Sequence, residues 1–143
     1  MAGVTLEQAR IIIAKALAKG ADEGLKPLAV AVLDAGGHTT AFERQDGASA
    51  MRFKIAHGKA YGAIAMGLGS RALYDRAQKQ PLFLDAMNAL ADGALVPVPG
   101  GVLIRDGAGA LLGAAGVTGD NSDTDEMCAI AGIEAAGLVA DTG

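Results

Sequence analysis

His57 has Phe53 four residues before it and Tyr61 four residues after it. On a helix, positions four apart share a face, so the three rings would form one stripe. An imidazole between aromatic rings can ligate haem iron or move protons. The plain alternative is an edge-of-core histidine with one hydrogen bond. Lys59 lies in the same segment, with apolar Ile55 and Ala63 four residues to either side. A lysine there snorkels to solvent, pairs with an acid or holds an anionic ligand. It is two positions from both His57 and Tyr61, about 200° round a helix, so it points away from them. Either a ligand uses His57 and Tyr61 while Lys59 is structural, or a neighbouring subunit supplies Lys59.

Other polar groups offer less. Arg44 and Asp46 end a candidate hairpin, where an arginine beside a pocket could take a carboxylate in a bidentate fork. A surface ion pair is the alternative. Cys128 falls in the first turn of a candidate helix, where the dipole lowers a thiol pKa, although Asp125 and Glu126 oppose that shift. Asp120, Asp123, Asp125 and Glu126 form an acidic cluster without the EF-hand loop pattern. Helix capping by Asp125 is the default reading there, a weak cation site the other. One cysteine and two histidines are too few for structural zinc, and no metal site is expected. Spacing yields no Ser-His-Asp or Cys-His arrangement. No GxxxxGK[ST] motif occurs, and the glycines follow no dinucleotide-binding pattern.

The elements that would position these groups follow from periodicity. Thr5 and Gln8 have capping-box spacing, and Ala9, Ile12, Ile13, Ala16 and Leu17 line one face of a helix from about Leu6 to Asp22. Leu28 to Leu33 reads as a buried strand, and His38 to Gln45 as its hairpin partner across Asp34-Ala35-Gly36-Gly37. A second helix, capped by Ser49, runs to about Leu68. Gly58, Gly62 and Gly67 each cost it about 1 kcal/mol relative to alanine, so close approach of another backbone is expected. A short helix follows over Arg71 to Gln78, then a segment of uncertain class from Leu82 to Leu90. Val96 to Gly101, with two prolines, cannot be a central strand. Val102 to Arg105 and Ala110 to Thr118 make a second hairpin, and Glu126 to Val139 a last helix. Two hairpins with helices between and after them predict a mostly antiparallel sheet with helices on one face.

Length and composition set the limits. The 143 residues suit one domain spanning 1–143. The 12 basic and 16 acidic side chains argue against a nucleic-acid partner. The 31 alanines and 21 glycines imply a modest core and a homo-oligomer. No apolar run is long enough for a membrane span. With one cysteine and no signal-peptide pattern in MAGVTLEQAR, the expected location is cytoplasmic.

Three segments together resemble one family: AVAVLDAGGHTTAFERQDG from Ala29 to Gly47, IAHGKA from Ile55 to Ala60, and GGVLIRDGAGALLGAAGVTGDNSDTDEMCAIAG from Gly100 to Gly132. They are similar to the GlcG/HbpS, or haem-degrading, domain family, which includes the C-terminal domain of PduO-type proteins. The last block is the most specific. Thr118 stands where the family usually has serine, and Leu103 where proline is common. The resemblance implies a PAS- or profilin-like α/β (α+β) domain, a five-stranded antiparallel sheet with helices packed on it. It also implies homo-oligomers and, for some members, haem as cofactor. The axial ligand differs among members, so the resemblance assigns none to His57.

Three functions are consistent with these residues. The first is a small-molecule-binding protein of the haem-binding kind, with His57, Arg44 and Lys59 as cofactor contacts. The second is a catabolic enzyme acting on a small organic acid or carbonyl compound. There Arg44 or Lys59 would hold an anion, and His57, Tyr61 or Asp125 would move protons. The third is a non-catalytic oligomeric accessory protein.

Overall fold

The computed structural model describes residues 3–143. Thr5 opens the first helix, α1 (Leu6–Asp22), with both halves of the expected capping box: its hydroxyl accepts from the Gln8 amide, and the Gln8 side chain accepts from the Thr5 amide. The apolar run that follows becomes β1 (Ala29–Asp34), which is buried along nearly its whole length, and the more polar β2 (Thr39–Arg44) returns beside it. Next come α2 (Arg52–Met66), α3 (Ser70–Lys79) and α4 (Pro81–Leu90), then β3 (Gly101–Arg105) and β4 (Leu111–Thr118). The chain ends with α5 (Ser122–Ala135) and β5 (Val139–Asp141).

The five strands form one antiparallel sheet in the order β2-β1-β4-β3-β5. Strand residues alternate between faces. Val30, Val32, Val102, Ile104, Ala115 and Val117 point towards α1 and α5, against Ile12, Ile13, Ala129 and Ile133. Leu33, Leu103 and Ala114 point the other way, against Ala60 and Ala63 of α2. The sheet is therefore covered on both faces, not on one as hairpin order predicts. Hairpin connectivity leaves open the side on which each helix returns.

Boundaries shift in four places. α2 starts after Met51 with no side-chain cap, so Ser49 does not open it, and left-handed Gly67 (φ 71°) closes it. The segment of uncertain class is helix α4, with Pro81 in its first turn. The last helix starts earlier than its charge pattern suggests: Asn121 is the N-cap, its side chain accepting from the Thr124 amide. It also stops at Ala135, and Val139–Asp141 forms an edge strand that its three residues gave no periodicity to reveal.

A glycine of β4 also lets a backbone approach closely. A Cβ on Gly116 would overlap the Ala56 carbonyl, so the α2 backbone lies directly on the strand. Such contact gives the helix a smooth seat of small residues.

Candidate functional site

Three faces of α2 have three different surroundings. Ala56, Lys59, Ala60 and Ala63 are buried. Gly58 and Gly62 face the segment before β3, where a Cβ on Gly58 would stand 2.5 Å from Val96 and one on Gly62 would stand 3.4 Å from Leu95. Phe53, His57 and Tyr61 lie on the outer face, exposed or half-buried.

The rings of this outer face form a ladder. Phe42 on β2 meets Phe53 edge-on, with centroids 4.8 Å apart and planes at 86°. Phe53 stands 5.9 Å from His57, and His57 stacks on Tyr61 at 5.7 Å with planes only 12° apart. These separations lie in the range where aromatic faces and edges attract. Among the described residues no hydrogen bond or ion pair engages the His57 imidazole. Arg44, two residues beyond Phe42 on β2, is exposed and donates to the Ala48 carbonyl.

Lys59 and Asp125 do not join this face. The Lys59 ammonium is 2% exposed and donates to the Val117 carbonyl at 2.9 Å and to Asp125 Oδ2 at 3.2 Å. The other Asp125 oxygen accepts from the Asp120 amide at 3.0 Å. Burial pushes the Lys59 ammonium below the ordinary lysine value, against the attraction of Asp125. Asp125, which the acidic cluster suggested as a cap or proton carrier, thus closes a buried ion pair while Asn121 does the capping. Arg52 donates to the Thr118 hydroxyl at 2.7 Å, so two cations of α2 reach the end of β4. Arg71 on α3 binds Glu126 through Nε and Asp123 through Nη2. Cations from α2 and α3 thus meet three of the four carboxylates of the acidic cluster, while Asp120 accepts from the Lys26 and Asn121 amides. That pairing is long-range and left no local trace in the sequence.

Two clefts lie elsewhere. One of about 420 Å³ borders the β1–β2 turn at Asp34, Gly36 and His38, and one of about 370 Å³ lies between Arg71, Tyr74 and Asp123. Neither is lined by a residue of α2, so the aromatic ladder is not the wall of either cleft. Cys128 is buried and its thiol is pushed up to about 11, first by desolvation and then by Asp125. The activating effect of a helix N-terminus does not prevail there. Among the described residues no cluster of three or more His, Cys, Asp or Glu could hold a metal ion, and no helix is long and apolar enough to cross a membrane.

A profile of the family described as Haem degrading protein HbpS-like matches residues 4–134. No curated protein matches the chain. Among solved structures the chain is similar to PduOC, crystallised as a complex with haem, with TM-score 0.84 and 24% identity over 95% of this chain and 96% of that one. It is also similar to a double mutant of Streptomyces reticuli HbpS, with TM-score 0.79 and 27% identity over 94% of this chain and 87% of that one. Klebsiella pneumoniae protein ORFY gives TM-score 0.84 and 24% identity over 96% of this chain and 92% of that one. These neighbours share the five-stranded antiparallel sheet and its helices.

Proposed function

The chain belongs to the HbpS-like haem degrading family, and from that premise we propose that it binds haem on the outer face of α2, with His57 as axial ligand. One observation carries the reading: a half-exposed imidazole is held between aromatic rings while no protein group engages its nitrogens. The residues fit the group. Phe53 and Tyr61 offer apolar faces to a flat macrocycle. Arg44, exposed on the strand that carries Phe42, suits a propionate carboxylate. Bound haem would supply a redox-active iron. Tyr61 would hold the imidazole plane by stacking, and Phe42 would support Phe53. Lys59 and Asp125 satisfy each other and take no part in contacting the ligand.

Phe53 of the ladder is exposed, and Met51, Leu82 and Leu90 are exposed apolar side chains at 58%, 83% and 78%. We therefore also propose a homo-oligomer in which neighbouring subunits cover these exposed apolar side chains. The single buried thiol suits a reducing compartment such as the cytoplasm.

Hemin titration followed by the Soret band tests the binding. Wild-type protein should show a saturable red-shifted band. His57→Ala should weaken binding by about tenfold or more and change the spectrum of what remains. An identical titration and spectrum for His57→Ala would overturn the assignment. Light scattering at micromolar concentration that finds only a 14.2 kDa species would reject the oligomer.

A further inference from the structure

The face that α2 lays on the sheet is built mainly of small side chains. Its centre is Ala56, Ala60 and Ala63, against Gly116 and Ala114 on β4, Leu103 on β3 and Leu33 on β1, with Tyr61 and Ile64 packed at the margin. Alanine and glycine surfaces interlock weakly, because no ridge fills a specific groove. Turning α2 about its axis would move His57 away from Phe42 and the β2 side. Two cationic side chains of α2 cross to the end of β4: part-buried Arg52 reaches the Thr118 hydroxyl, and Lys59 is the fully buried one. Lys59 projects past the start of β3 to reach Val117 and Asp125. Gly100 leaves it room: a Cβ there would stand 2.8 Å from the ammonium and 2.6 Å from the Val117 carbonyl.

We propose that the buried Lys59–Asp125 pair is a rotational key for α2, and that Lys59 is a positioning residue for His57. This rests on the reading of the outer face as the ligand site. Buried ion pairs often add little net stability over well-packed apolar side chains, yet they can specify one arrangement among near-equals. Lys59 and His57 are about 200° apart on the helix, so locking the first inward holds the second outward. The ladder Phe42–Phe53–His57–Tyr61 is the visible consequence, because it needs α2 in one rotational setting over β2.

The test separates stability from placement. Lys59→Met/Asp125→Leu removes the key without leaving a charge unpaired. Thermal unfolding should remain cooperative. NMR of the apo protein should show that the His57 and Tyr61 ring protons have lost their mutual ring-current shifts, and hemin affinity should fall by about tenfold. A merely structural pair predicts native ring shifts and native affinity in a folded double variant, and that result overturns the proposal. The ring shifts need no haem. If wild-type protein fails to bind hemin while the double variant loses its shifts, the haem reading falls and the key stands. Should the double variant not fold, Asp125→Asn is read by the same NMR measurement: averaged ring shifts support the key, and unchanged shifts overturn it.

Discussion

Lys59 and Asp125 belong to helices on opposite faces of the sheet, yet their charged groups meet 3.2 Å apart, with the Val117 carbonyl 2.9 Å from the same ammonium. The contact is possible because only three residues separate the end of β4 from the start of α5, which puts its first turns at the end of the sheet that α2 also reaches. The pair joins the two layers directly, as does Arg71 of α3 with Glu126 and Asp123 of α5.

Removing one partner should therefore cost far more than removing the true cap of the same helix. Asp125→Ala strands a buried ammonium and should destabilise by about 3–5 kcal/mol. Asn121→Ala loses one capping hydrogen bond at an exposed position and should cost about 1 kcal/mol. Urea midpoints at neutral pH compare the two directly. Equal losses would mean that the buried pair is not intact in solution.

The contrast shows which parts of this protein were legible in its sequence. Helix α1, both hairpins and the His57–Tyr61 face follow from periods and turn residues within short windows. So does the placement of Lys59 away from His57. What could not be read depends on contacts across 55 or more residues. Arg71 with Glu126 and Lys59 with Asp125 are such pairs, and each carboxylate looked locally like part of a capping cluster. Phe42 is intermediate: alternation puts it on one face of β2, but only the return of α2 over that face brings it to Phe53.

Close backbone approach gives a steric prediction. A Cβ at Gly116 would overlap the Ala56 carbonyl, and neither a strand nor a helix backbone can yield locally. Gly116→Ala should displace α2 and destabilise by at least about 1–3 kcal/mol, as overpacking does. Gly107→Ala, in the β3–β4 turn where a Cβ meets nothing within 4 Å, should be close to neutral. Thermal midpoints of the two variants check this, and a neutral Gly116→Ala would show that α2 stands further from β4.

Cys128 should be a silent thiol. Burial raises its pKa to about 11, and Asp125 adds to the shift. At pH 8 almost none of it is thiolate, so alkylation must wait for unfolding. Native protein should label with iodoacetamide only at the unfolding rate, and denatured protein at once. Rapid native labelling would show that the α1–α5 interface opens.

The edge strand β5 should be the first element lost in acid. It holds three residues and pairs only with β3, and its one charged tether is Asp141 to Arg105, at 2.8 Å. That hydrogen bond, foremost, holds the Asp141 carboxyl below its ordinary value of 3.8. A depressed folded-state pKa means that the tether contributes in full above the unfolded value and is lost as pH falls through the folded one. The pair is partly exposed, so its effect is local and salt-sensitive. Amide exchange in β5 and along its partner edge of β3 should accelerate as pH drops below about 4, once the intrinsic pH dependence of exchange is divided out, while β1 and β4 stay protected. Arg105→Gln should produce the same loosening already at neutral pH. Protection of β5 that is indifferent to both changes would assign its attachment to the strand hydrogen bonds alone.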